Sequence, residues 1–151
     1  MSMLPVEERV GVAFTSTLDP LVADGVTVER NRTFDPEIDQ RPLLVVQEQS
    51  AVLVSEDVLE ARMRKDIALL GYVLAEADDD PAPLLYGLAA RATRLILADR
   101  TLGGIADDVQ VTETDPDFSD EDSHNTADFV ALFRVDYATR PGDPFVSITD
   151  P

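Results

Sequence analysis

The sequence lacks cysteine altogether, and it has a single lysine, Lys65, and a single histidine, His124. Without cysteine the chain has neither a disulfide framework nor a thiol nucleophile. One histidine without any cysteine does not supply the ligands of an ordinary zinc site. We therefore expect no cofactor and no metal centre of that kind.

Long apolar runs and a basic N-terminal region are also missing. No stretch approaches the ~20 apolar residues that a bilayer span needs. The first residues, Met-Ser-Met-Leu-Pro-Val-Glu-Glu, do not have the pattern of a secretory signal. These features predict a soluble protein that is made and used in a cytoplasm, with no membrane partner.

Positive charge is scarce: 12 Lys and Arg residues stand against 30 Asp and Glu residues, for a net charge of −18. Such a surface repels phosphates, which argues against specific nucleic-acid binding, although a repelling channel would let DNA slide without sticking. The near absence of lysine fits a GC-rich genome or a high-salt cytoplasm. A length of 151 residues, of which 44% are hydrophobic, suits a single domain over residues 1–151 that has a hydrophobic core.

Two segments predict helices. Residues 5–19 begin with Pro5 in a helix-starting position, and Pro20 interrupts the pattern before an Asp-Gly stop signal. Residues 84–99 form the strongest helical pattern, followed by Gly103-Gly104 where a left-handed cap is expected. The predicted buried stripe of this helix consists of Leu84, Leu88, Ala92, Leu95 and Ile96.

The remaining periodicity predicts strands. They are expected over residues 26–30, 42–46, 109–111 and 129–137, with a terminal edge strand over 145–148. Residues 58–76 fit a helix and a strand equally, although Gly71 and Tyr72 favour a strand in the second half. The predicted fold is an α+β domain, a mainly antiparallel β-sheet flanked by two α-helices.

The most acidic stretch, residues 114–128, contains six acids and the only histidine. On a calcium-binding loop, Asp115, Asp117 and Ser119 would occupy positions 1, 3 and 5. The glycine needed at position 6 is Asp120, and the glutamate needed at position 12 is Thr126. The stretch is therefore interpreted as a solvated loop between two strands rather than a metal site.

No motif points to catalysis. Nothing resembles a nucleophile elbow that would give His124 a partner. Gly103-Gly104 lacks the lysine and the spacing of a phosphate-binding loop. Paired carboxylates carry no information in so acidic a chain. The residues alone predict a binding or assembly unit rather than an enzyme, with no catalytic residues.

Three features together resemble a known family. They are the segment Thr-Leu-Gly-Gly-Ile-Ala-Asp-Asp-Val after the second helix, the strand Phe-Val-Ala-Leu-Phe-Arg-Val-Asp-Tyr, and the ending Ala-Thr-Arg-Pro-Gly-Asp-Pro-Phe. This combination is similar to the tail terminator (tail completion) proteins of long-tailed viruses, the lambda-type minor tail protein family. The similarity covers residues 5–146 in element order and size, and only its last third is motif-like.

The resemblance implies a structural virion protein of the tail or neck, assembled in the host cytoplasm. Such a protein forms a homo-hexameric ring that caps the tail tube, ends polymerisation of the tail tube protein and offers a docking surface to head–tail connector proteins. A closed ring of heterologous contacts presents two different faces. The alternatives are another neck or head–tail joining protein, or a small acidic cellular binding module or hydrolase.

The resemblance also suggests site residues. Charged residues near the last strand and turn could pair across subunits: Arg134, Asp136, Arg140 and Asp143. Apolar residues of the edge strand, Phe145 and Ile148, could extend a neighbour's sheet. The acidic insertion could line the DNA passage or face a partner through Asp115, Asp117, Asp120, Glu121 and Asp122. Each charged residue could equally be an ordinary surface charge.

Overall fold

A computed structural model describes residues 4–33, 40–76, 79–117 and 126–148. Within these residues the helices are α1 (Val6–Ser16), α2 (Asp19–Ala23) and α3 (Ala82–Leu97). The strands are β1 (Thr27–Arg30), β2 (Leu43–Glu48), β3 (Val52–Glu56), β4 (Ala61–Leu74), β5 (Asp108–Asp117), β6 (Thr126–Arg140) and β7 (Asp143–Ser147). The predicted α+β class is confirmed.

The seven strands form one mixed sheet in the order β1-β2-β4-β6-β5. Beside this path, β3 pairs with β4 and β7 pairs with β6. The pairing of β1 with β2 is parallel, whereas every other pairing is antiparallel. A parallel neighbour needs a connection of roughly a dozen residues, and residues 31–42 provide it. The long strands β4 and β6 are the centre of the sheet.

The expectation of two helices is wrong, because the described residues form three. The first predicted helix is divided at Thr17 and Leu18, so that Pro20 falls in the first turn of α2. Proline is tolerated there because the first N–H groups of a helix have no intrahelical acceptor. Pro5 occupies the N-cap position of α1 and not its first helical position, which is Val6.

The predicted buried stripe of α3 is off by one residue at its start. Leu84 is exposed, and Leu85 is buried in its place together with Leu88, Ala92 and Ile96. These four positions follow the 3–4–4 spacing of one helical face. Leu95 is half-buried at the margin of the core.

The strand predictions are confirmed in place but not in length. The ambiguous segment is the strand β4 from residue 61 to residue 74, and β3 was not expected. β5 continues through Asp117, so the acidic stretch is not a loop over residues 114–117. Antiparallel pairing with the long strand β6 explains this, because strand formation depends more on a neighbour's ladder than on intrinsic propensity.

All three helices pack on one face of the sheet. The core between them contains Val10 and Phe14 of α1, the buried stripe of α3, and alternate residues of β4 and β6. The ring of Phe14 meets the ring of Phe133 edge-on, with centroids 5.4 Å apart. This arrangement leaves the opposite side of the sheet, which we call the outer face, without a helix among the described residues.

Candidate functional site

The outer face has an apolar centre. Residues of β4 and β6 that alternate with core positions lie on this side. In the register, Leu70 is opposite Val130 and Ala68 is opposite Leu132. Val130 and Leu132 are large apolar residues that remain more than one-third exposed. We call these four residues the apolar strip.

Carboxylates border the apolar strip along β5. The register places Glu113 beside Leu132 and Asp115 beside Val130, and it pairs Asp117 with Asp128. We call these four acids the acidic row. Asp128 accepts a hydrogen bond of 2.8 Å from Nη1 of Arg41, whereas the three β5 acids are exposed. Two like charges directly opposite each other weaken a sheet, so this row is a feature that folding does not favour.

Asp115 and Asp117, expected in a loop, therefore lie in a strand and on the outer face. The other predicted partner-facing acids, Asp120, Glu121 and Asp122, lie outside the described residues.

The predicted interface charges Arg134 and Asp136 have partners within the subunit. Both lie on β6, directly opposite β4 residues of the other sign. Nε of Arg134 is 3.8 Å from Oδ1 of Asp66, and Nε of Arg64 is 3.5 Å from Oδ1 of Asp136. A contact with a neighbouring subunit would have to extend these pairs, since both arginines and both acids remain partly exposed.

The last turn holds the other predicted interface residues. Arg140 is exposed at the end of β6, and the carboxylate of Asp143 accepts a hydrogen bond from the backbone N–H of Phe145 at 3.1 Å. Phe145 and Ile148 are exposed in or just after β7, whose one strand partner among the described residues is β6. The expected terminal edge strand is thus confirmed, and its role in an interface stays a prediction.

An exposed hairpin that the sequence pattern does not predict comprises residues 52–60, and we call it the hairpin arm. It comprises β3 and the turn at residues 57–60. Every residue of β3 is exposed, and Val58 and Leu59 at the turn are 94% and 76% exposed. Its signal was the run Val-Leu-Val at residues 52–54, which lacks the polar alternation of a half-buried strand.

The turn of the hairpin arm is well defined. The carboxylate of Asp57 accepts hydrogen bonds from the backbone N–H groups of Leu59 and Glu60, at 2.7 and 2.9 Å. The bonds from Glu60 and Leu59 lower the pKa of Asp57. The two apolar side chains at the tip are therefore held in place rather than left on a loose loop.

A polar cleft of about 350 Å³ lies beside α1. The chain's one lysine, Lys65, is buried there and its Nζ donates to Oε1 of Glu7 at 2.9 Å and to the carbonyl of Gln49 at 2.7 Å. Arg30 binds both oxygens of Glu8 at 2.7 and 3.0 Å and also contacts Glu48. We call these five charged groups the ion-pair cleft.

The charges of the ion-pair cleft are paired with each other. Burial raises the pKa of Glu7, but hydrogen bonds from Lys65 and from the N–H of Ala51 outweigh it, so that its pKa lies below the ordinary value. The bond from Arg30 lowers the pKa of Glu8. The arrangement fastens α1 to β1, β2 and β4, which is a structural use of its carboxylates.

The part of the chain that the structure describes has neither a metal-site cluster nor a membrane-spanning helix. No group of three or more histidine and acidic residues there converges in a way that could hold a metal ion. No helix there is long and apolar enough to cross a membrane. Glu113, Asp115 and Asp117 follow one another along a strand instead of surrounding a common point.

The surfaces available for a functional proposal are therefore the hairpin arm, the outer face and the last turn. Comparison with known proteins adds no assignment, since no protein-family model matches the chain and no curated protein sequence is significantly similar to it.

Proposed function

We propose that this chain is a structural assembly protein of a long-tailed virus. In this proposal it forms a homo-hexameric ring on the end of the tail tube, ends tube polymerisation and presents the surface to which head–tail connector proteins dock. The observation that carries the proposal is the hairpin arm, with Val58 and Leu59 almost fully exposed at its tip. Apolar surface of this kind, next to a free strand edge, is ordinarily covered by another protein.

The energetics of the hairpin arm favour a protein partner. Burying one aliphatic side chain completely contributes about 1.5–3 kcal/mol. Among the described residues β3 pairs with β4 alone, so its other edge could hydrogen-bond to a strand of a partner. The described part of the subunit uses neither contribution. A tube end or a neighbouring subunit would use both.

The ion-pair cleft supports an assembly role over the cellular binding module. A small polar ligand would need charged groups that it could bind without breaking existing bonds. Lys65 and Arg30 already bind Glu7, Glu8 and Glu48, so that a ligand would have to displace these contacts. Displacing these contacts leaves buried charges unpaired, and the free-energy cost of that exceeds what a new, exposed ion pair with the ligand would contribute.

The acidic row favours a second candidate, another head–tail joining protein. Its exposed carboxylates suit the basic surface of a partner ring on the head side. The two candidates differ in which partner is bound. A terminator binds the tube end, whereas a joining protein binds only the head side.

The proposal is tested by adding the chain to tubes polymerised from the tail tube protein of the same virus. Electron microscopy should show a ring on one tube end and shorter tubes. The double variant Val58→Ser/Leu59→Ser should cap roughly 10- to 100-fold less efficiently, because about 1.4 kcal/mol of lost burial corresponds to a factor of ten.

The matched control also exchanges two exposed apolar residues for serine, but outside the hairpin arm. Val12→Ser/Val22→Ser changes two exposed valines of α1 and α2 and should leave capping unchanged. Binding to connector proteins without binding to tubes would instead support the joining protein. A wild-type chain that binds neither would overturn the viral assembly role.

A further inference from the structure

A second charged surface lies on the side of the subunit opposite the outer face. Helix α3 turns its buried stripe towards the sheet and its other side towards solvent. That exposed side, which we call the basic helix face, consists of Leu84, Tyr86, Gly87, Ala90, Arg91 and Arg94. The helix contains two arginines and no acid, in a chain whose net charge is −18. Among the described residues this helix forms one ion pair, in which Nη1 of Arg91 lies 4.0 Å from Oδ2 of Asp24.

The outer face has the complementary composition. Its apolar strip is bordered by Glu113, Asp115 and Asp117, and none of these three acids forms an ion pair with a described residue. Two arginines of the same face, Arg64 and Arg134, are each paired with an acid across the strands, so the acids of β5 set the sign of this border. The β5 border of the outer face therefore has exposed apolar side chains beside acids, and the basic helix face has exposed apolar side chains beside arginines. The two differ in sign, which is what attraction between two surfaces requires.

The positions of the two faces decide the kind of contact. α3 covers the core side of β4, β5 and β6, and the apolar strip and acidic row lie on the reverse side of the same strands. One copy therefore cannot bring its own two faces together. A second copy can, and a contact between different faces of identical chains is heterologous, so that repetition closes into a ring or continues as a filament.

We propose that the outer face of one copy binds the basic helix face of the next copy. Glu113 and Asp115 of one subunit meet Arg91 and Arg94 of its neighbour, and the apolar strip packs on the exposed apolar side chains of α3. The occupant is a second copy of this chain. The inference rests on the proposed ring and names its subunit contact, which leaves the hairpin arm for the tube end.

The charge signs also determine which face binds which. Two acidic rows repel each other, and so do two basic helix faces, which disfavours symmetric pairs through either surface. Local attraction at the contact works against the repulsion that a net charge of −18 causes between copies. Apolar burial then supplies most of the affinity, and charge supplies the choice of partner face.

Charge reversal on each face gives a direct test, with mass measured by light scattering at about 0.15 M salt, where the Debye length is about 8 Å. The helix variant is Arg91→Glu/Arg94→Glu and the sheet variant is Glu113→Arg/Asp115→Arg. Each variant alone should be monomeric at concentrations where the wild type assembles, since both of its faces then have the same sign.

Mixing the two variants is the decisive step. The unchanged acidic outer face of the helix variant can bind the unchanged basic helix face of the sheet variant. The reversed, basic outer face of the sheet variant can bind the reversed, acidic helix face of the helix variant. An equimolar mixture should therefore recover the wild-type mass, with equal amounts of both chains. Loss of assembly in the sheet variant cannot be a general charge effect, because exchanging two acids for two arginines lowers the net charge from −18 to −14 and reduces repulsion.

The remaining outcomes overturn the inference. Assembly of either variant at the wild-type concentration would show that these faces are not the contact, while the ring and its tube-capping assay would stand. A mixture that stays monomeric would show that the faces do not meet head-to-tail. Wild-type chains that stay monomeric up to about 1 mM would exclude the contact, and tube capping would then decide the proposed function separately. Thermal unfolding of each variant confirms folding.

Discussion

At residue 71 the sheet has room only for glycine. Gly71 lies directly opposite Phe129 in the register, and a Cβ at this position would overlap the ring of Phe129. Phe129 is buried in the core, so its ring cannot swing into solvent. The sequence pattern predicts a strand at Gly71 but gives no reason for the glycine. The reason is close packing between two central strands.

Gly71→Ala should lower the free energy of unfolding by about 1–3 kcal/mol, as overpacking of a filled core does. Urea unfolding followed by circular dichroism measures the change. Gly87→Ala is the matched control, because a Cβ there meets nothing within 4 Å. In an exposed helix the same exchange should stabilise by about 0.5–1 kcal/mol. Equal effects at both positions would contradict the packing argument.

At the scale of elements, alternation of buried and exposed residues made β6 predictable, and its absence hid β3. β6 alternates buried and exposed residues from Phe129 to Tyr137, and this period of two identified it. β3 is exposed throughout and has no such period. The acidic part of β5 has no apolar alternation, and only its pairing with the next strand, β6, makes it a strand.

The site residues show the same division. The exposed edge strand and turn after β6 were expected from Pro141 and Gly142, whose turn chemistry is local. The partners of Arg134 and Asp136 lie on β4, some seventy residues away, and only the sheet register brings them together. Lys65 appeared as a lone basic residue, whereas long-range contacts make it the centre of the ion-pair cleft.

The attachment of α1 should depend on pH. The pKa of Glu7 in the folded protein lies below its ordinary value of 4.5, so the unfolded chain binds a proton more readily. The stabilisation that Glu7 contributes is therefore complete above about pH 4.5, and it is lost as the pH falls through the pKa of Glu7 in the folded protein. Gln at position 7 keeps an acceptor for Lys65 and for the N–H of Ala51 but cannot titrate.

Urea unfolding of wild type and Glu7→Gln at pH 7 and at pH 3.5 measures this linkage. The wild type should be the more stable protein at pH 7, and the difference between the two should shrink at pH 3.5. Glu56→Gln, the same exchange at an exposed acid of β3, serves as the control and should show little difference at pH 7. A gap between wild type and Glu7→Gln that widens on acidification would contradict a lowered pKa for Glu7.

The whole molecule carries far more negative charge than its ion pairs neutralise. Thirty acids stand against 12 basic residues, and many of the basic residues are already paired. Most of the acids therefore repel each other across the surface, and this repulsion opposes both folding and association. Salt weakens the exposed ion pairs as well, but those contribute only about 0–1 kcal/mol each.

Raising the salt from 0.1 to 1 M shortens the Debye length from about 10 to about 3 Å. We therefore expect the midpoint of thermal unfolding to rise with salt, because the relief of repulsion exceeds the loss of surface ion pairs. Differential scanning calorimetry in NaCl and in KCl measures it, and equal shifts in the two salts identify screening rather than binding of one cation. A midpoint that falls with salt would contradict this expectation. It would mean that the ion-pair cleft and the cross-strand pairs stabilise the fold by more than the repulsion among the acids destabilises it.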